Sequence, residues 1–116
     1  MGPYIKGDLV LVMFPFSNLK GTAKRPAIVL HDLPGDDIIL CQVTSKTHGN
    51  SHEIPLNMSN LVSGAMPVTS YVLPFKIFTG CKTELKENRR GDKVLGHLKD
   101  DKLKEVIDGV VHFITK

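Results

Sequence analysis

The sequence predicts an α+β, mainly β fold: a small curled antiparallel sheet or barrel closed by a C-terminal helix. Two observations predict it. Short apolar runs at residues 9–14, 27–30, 38–43, 68–73 and 75–79 are separated by turn-forming or polar segments, the pattern of five to seven short strands. Leu103, Val106, Ile107, Val110, Val111 and Ile114 then recur at the i, i+3, i+4, i+7, i+8 spacing of one amphipathic helix. At 116 residues the chain fits a single domain over 1–116, with a core that needs no disulfide or metal.

The first run, rich in valine and leucine, reads as a central strand ended by Pro15, which has no N–H for a sheet ladder. Residues 17–24 are too many for a tight hairpin turn and are rich in small and cationic types, so they read as a mobile ligand-binding loop. Strand two, 27–30, is closed by the turn cluster of residues 31–37, with Pro34-Gly35 at its centre, and strand three follows at 38–43. These two form a hairpin. Residues 44–52 are polar and read as a loop, 53–56 as a short edge strand, and 57–67 as weakly patterned with room for one helical turn. Pro74 splits the next two runs, as at the corner of a small barrel. Residues 88–92 mark a solvated turn, and 94–98 lead into the helix, for which Asp100 is the expected N-cap. Gly109 inside that helix costs about 1 kcal/mol relative to alanine, which points to a close approach by another backbone or to a locally weak helix.

Hydrophobic residues at 41% and charged residues at 23% are those of a soluble globular protein. Fifteen Lys and Arg against twelve Asp and Glu give a net charge of +3, a mild basic bias that permits nucleic-acid binding without requiring it. Cys41 and Cys81 lie far apart and read as free thiols. The N-terminus lacks the pattern of a signal peptide, and no stretch reaches the roughly 18 apolar residues of a membrane span. A cytoplasmic location without membrane attachment is the expectation.

Metal chemistry has little support: His48 and His52 are four apart, but Gly49 and Asn50 between them make a poor helix, so two ligands do not share a helical face. His97 and His112 read as surface or boundary residues. GxGxxG, Walker and GxSxG patterns do not occur, which leaves hydride transfer, nucleotide hydrolysis and hydrolase-elbow chemistry unsupported. No metal and no cofactor are expected. What remains is Arg25 at the head of strand two and Thr44-Ser45-Lys46 at the end of strand three. Antiparallel partners pair first residue with last, so the hairpin makes Arg25 and Thr44 neighbours. A guanidinium beside one or two hydroxyls, with Lys24 and Lys46 close by, is a pocket for a phosphodiester and can brace charge developing on phosphorus. The plainer alternative is a surface ion pair at Arg25 and a turn beginning at Thr44-Ser45.

Gly7-Asp8-Leu9-Val10, Arg25-Pro26-Ala27-Ile28-Val29-Leu30, Gln42-Val43-Thr44-Ser45 and His97-Leu98 before an acidic-started helix together resemble the MazF/PemK/Kid family of toxin endoribonucleases. The resemblance implies that family's SH3-like barrel, a homodimer, and metal-independent cleavage of single-stranded RNA, usually messenger RNA. It also implies a cognate antitoxin whose acidic C-terminal segment occupies the RNA groove. In similar enzymes the 2′-hydroxyl attacks its own phosphate and leaves 2′,3′-cyclic phosphate and 5′-hydroxyl ends. The family's arginine and threonine fall on Arg25 and Thr44, so the implied catalytic set is Arg25, Thr44 and a supporting Ser45. Lys20, Lys24, Lys46, His48 and Lys76 are the expected RNA contacts. Phe16 and Tyr71 are either base-stacking or core aromatics. Some relatives carry an arginine and an acidic residue where this chain has Leu73 and Phe75, so the general base is unassigned, with His48 a candidate. Two other readings stay open. One is a CcdB-like toxin that poisons gyrase by protein contact; the other is a degenerate family member that binds RNA or antitoxin without cutting.

Overall fold

The computed structural model describes residues 4–15, 22–47, 49, 51–66, 68–87 and 90–116. Eight strands are found there: β1 (Asp8–Pro15), β2 (Thr22–Asp32), β3 (Asp37–Thr44), β4 (Ile54–Leu56), β5 (Leu61–Gly64), β6 (Ser70–Cys81), β7 (Leu85–Lys86) and β8 (Val94–Leu98). One helix, α1 (Asp100–Thr115), follows. The strands form a single antiparallel sheet in the order β4-β6-β3-β2-β1-β8-β5, with β7 added beside β1. The result is a mainly β curled half-barrel with one C-terminal helix, as the sequence pattern predicts.

β1, β2 and β3 are continuous apolar runs because the sheet is buried on both faces. Leu9, Ile28, Cys41 and Val43 point into one core with Leu56, Val72, Leu98 and Val106. Their alternates Val10, Val12, Ala27, Val29, Ile38 and Leu40 fill a second core with Tyr4 and Leu85. The helix lays Val106 and Val110 into the first core.

Several expectations need correction. β2 begins at Thr22, because the β1–β2 ladder continues to the pair Pro15–Thr22, so residues 22–24 are strand and not loop. Of the expected 17–24 loop, residues 17–21 lie outside the described residues, as does Phe16. The N-cap of α1 is Lys99, not Asp100; Asp100 and Asp101 occupy the first turn, where carboxylates oppose the positive end of the helix dipole. Pro74 does not divide two strands: β6 is one strand carrying a bulge. Between the pairs Cys41–Ile77 and Val43–Val72, β3 advances two residues and β6 five, so three residues are extra. Leu73 and Pro74 are buried in that bulge, and Pro74 packs on the helix at Gly109, where an added Cβ would come within 3.1 Å of the ring. The close approach expected at Gly109 is thus made by a proline side chain.

The far end of the β2–β3 hairpin is tied to the β6–β7 connection. Lys82 bonds the Asp32 carboxylate, which also accepts the Tyr4 N–H at 3.3 Å. The Lys82 hydrogen bond, against the opposing effect of burial, holds Asp32 below its ordinary value of 3.8. A carboxylate depressed in the folded state stabilises above its unfolded pKa and loses that contribution as pH falls through the folded one. Asp32→Asn should therefore lower the urea midpoint near neutral pH. The gap from wild type should close as the pH drops below 3.8, the ordinary value. A gap of constant size over that range would show that Asp32 acts by some other means.

Candidate functional site

β1, β2, β3, β6 and β4 lie side by side, and their registers line up one residue from each in a row across the sheet. Val12 pairs Arg25, Thr44 pairs Tyr71, and Tyr71 pairs Pro55. The β2–β3 ladder ends at Ala27–Gln42, next to Pro26, which has no N–H to donate. Two further residues along each strand stand Arg25 and Thr44, at the same level and on the same face as Ala27 and Gln42. The β2–β3 register, extended two residues past its last pair, sets Arg25 across from Thr44.

Arg25 is half-buried, with its Nε out of solvent's reach. A guanidinium fixed along its stem presents its outer N–H groups in one direction, which suits a tetrahedral anion. Thr44 is 4% exposed, and its Oγ1 accepts the Lys46 N–H at 3.2 Å. That bond uses a lone pair and leaves the hydroxyl proton to donate, so Thr44 is oriented as a donor. Beyond it, Thr47 donates to Glu53 at 2.7 Å and accepts the Gly49 N–H at 3.1 Å.

The other expected residues divide. Lys24 precedes Arg25 in an extended strand, so the two side chains leave on opposite faces. Ser45 likewise parts from Thr44: with Leu9, Leu11, Pro26, Met66, Val68, Ser70 and Leu95 it lines an apolar cavity of about 160 Å³ on the first-core side. Lys46 and Lys76 are exposed, Lys46 two residues after Thr44 and Lys76 at the end of the β6 bulge, just before the pair Cys41–Ile77. Lys20 and His48 lie outside the described residues. Tyr71, which the sequence leaves between core and binding roles, is brought opposite Thr44. Its signal is the long-range β3–β6 pairing, which no local pattern encodes.

Leu73 and Phe75 do not join the row. Leu73 is 2% exposed and its carbonyl accepts the Cys41 thiol at 3.2 Å, while Phe75 meets Phe113 of the helix edge-on at 5.5 Å. Burial pushes the Cys41 thiol up to about 12, so it is an inert core thiol. His52 packs against Phe113 at 4.8 Å and near His112 at 6.2 Å. Among the described residues, no three His, Cys, Asp or Glu side chains are grouped to hold a metal ion. No helix there is long and apolar enough to cross a membrane.

Solved structures share this architecture. A MazE–MazF crystal structure (form II) from Deinococcus radiodurans matches at 26% identity and TM-score 0.69, over 95% of this chain and 94% of that one. An endoribonuclease from a mycobacterial species matches at 17% identity and TM-score 0.69, over 99% and 94%. A mycobacterial endoribonuclease in complex with its cognate antitoxin matches at 17% identity and TM-score 0.67, over 99% and 96%. Among curated proteins none matches this sequence. The fold is thus that of MazF-like toxins. The family model for the PemK-like, MazF-like toxin of type II toxin-antitoxin systems matches residues 5–114, and the chain belongs to that family.

Proposed function

We propose that this protein is a cytoplasmic, metal-independent endoribonuclease toxin that cleaves single-stranded RNA, with Arg25 and Thr44 at the reacting phosphate. The observation that carries the reading is the placement of Arg25 and Thr44 at one level and on one face of the sheet, just past the end of the β2–β3 ladder. A 2′-hydroxyl attacks its adjacent phosphorus and loses its proton; the 2′-O–P bond forms, the P–O5′ bond breaks, and the leaving 5′ oxygen takes up a proton. The products are a 2′,3′-cyclic phosphate and a 5′-hydroxyl. Arg25 neutralises the charge that grows on the non-bridging oxygens, and Thr44 donates its hydroxyl proton to one of them. A guanidinium holds its proton too tightly to be an efficient general acid, so its part is electrostatic. Exposed Lys46 and Lys76 favour approach of the RNA backbone. Ser45, on the other face, has no direct part in this scheme.

The chain acts as one domain over 1–116 and as a homodimer, and it is held inactive by a cognate antitoxin with an acidic C-terminal segment. A solved mycobacterial endoribonuclease in complex with its cognate antitoxin supports that partner. The test is incubation of the purified protein with several long single-stranded RNAs in EDTA, followed by end mapping. Cutting that survives chelation and leaves 5′-hydroxyl ends supports the reading. Intact RNA in every case removes it, and tight binding without cutting would identify a degenerate family member.

A further inference from the structure

Tyr71 lies directly opposite Thr44 in the β3–β6 ladder and directly opposite Pro55 in the β4–β6 ladder. Opposed residues of an antiparallel pair project to the same face with their Cα atoms about 4.5–5.5 Å apart. Ser70 and Val72, on either side of Tyr71, are buried at 3% and 0% exposure, and Val72 belongs to the first core with Val43, Ile54 and Leu56. The Tyr71 ring therefore leaves the sheet on the Thr44 side, and it is half-buried and belongs to neither core. The bulge begins after Val72, so Tyr71 and Val72 are the β6 residues paired with β3 on this side of it. An aromatic ring is thus fixed beside the hydroxyl that would hold the reacting phosphate.

We infer that Tyr71 is the platform on which a base next to the scissile phosphate stacks, a residue that sets RNA affinity rather than the chemical step. This rests on the RNA-cleavage reading above. A phosphate between Arg25 and Thr44 carries a nucleoside on each side, and the row continues from Thr44 to Tyr71 and then to exposed Pro55. The ring offers a π-face that any base can use, whereas its flanking residues on β6 are buried the other way. Stacking of a base on such a ring requires the ring and not the phenol oxygen, which separates this role from hydrogen bonding or proton transfer.

The experiment compares Tyr71→Ala, Tyr71→Leu and Tyr71→Phe with wild type, after thermal melting has shown that each is folded. Binding is measured with a single-stranded 2′-fluoro RNA, which lacks the nucleophile, and cleavage with unmodified RNA. Alanine and leucine should weaken binding and raise KM by about 10- to 100-fold with kcat changed less than about threefold, and phenylalanine should restore both. Loss of kcat in Tyr71→Phe would overturn stacking in favour of the hydroxyl. Wild-type affinity in all three variants would remove Tyr71 from the interface while leaving the RNA-cleavage reading intact. A wild-type protein that neither binds nor cuts RNA would remove both.

Discussion

Arg25→Ala is expected to slow RNA cleavage by at least about 10²- to 10³-fold, measured as the single-turnover rate at saturating protein, with the thermal midpoint close to wild type. The magnitude follows from where the charge appears. A phosphodiester carries one negative charge in the ground state and gains more as the 2′ oxygen adds to phosphorus, so a preorganised cation is worth more in the transition state than in the substrate complex. Arg25 is suited to this because it is anchored: it pairs Val12 in β1, its Nε is sealed from solvent, and its level matches that of Thr44. Arg25→Lys keeps the charge but loses the planar fork, so it should fall between wild type and alanine. Thr44→Ala should cost less, roughly 10-fold to 100-fold, because one neutral donor is removed where a full charge remains. Equal cleavage by wild type, Arg25→Ala and Thr44→Ala would place the reacting phosphate elsewhere on the molecule. Loss of cleavage accompanied by loss of folding would make Arg25 a structural residue.

The parts of the fold that the sequence made legible are those encoded over a few residues. The Pro34-Gly35 turn announces the β2–β3 hairpin, which brings Arg25 to the Thr44-Ser45 end of β3; the one-residue register shift between Val29 and His31, which no local pattern encodes, then sets Arg25 level with Thr44 and not with Ser45. The spacing of Leu103, Val106 and Val110 announces α1 and the side it buries. What stayed hidden depends on partners distant in the chain. β5 has the unpatterned sequence Leu-Val-Ser-Gly and becomes a strand only by pairing with β8, more than thirty residues later. The β6 bulge could not be read from Pro74, because a proline at a strand end and one in a bulge look alike until the partner register is known. The separation of Ser45 from Thr44 and of Lys24 from Arg25 was legible in principle. Consecutive residues in extended chain face opposite ways, and clusters of like residues along one strand therefore divide between its faces.

The second large effect is on stability, at Gly64. It ends β5, pairs Gly96 of β8 and has φ +84°, in the left-handed region that residues with a Cβ adopt at a cost. An added Cβ would lie 2.0 Å from the Leu95 carbonyl oxygen and 2.3 Å from the Gly96 Cα. Both obstacles are backbone, and that Leu95 carbonyl also accepts the Ala65 N–H at 3.1 Å, so relief requires β5 to leave β8. Gly64→Ala should therefore lower unfolding free energy by about 3–5 kcal/mol, a large part of the roughly 5–15 kcal/mol typical of a domain. The control is Gly35→Ala in the β2–β3 turn, which has φ +76° but nothing within 4 Å of its added Cβ. There only the backbone strain remains, about 1–2 kcal/mol. Urea unfolding of the two variants separates strain from collision: a deficit at Gly64 no larger than at Gly35 would mean that β5 is not held against β8 as closely as the sheet register requires. β8 connects directly to α1 through Leu98 and Lys99, so displacement of β5 should also reach the helix packing, seen as loss of amide protection along Val106 and Val110.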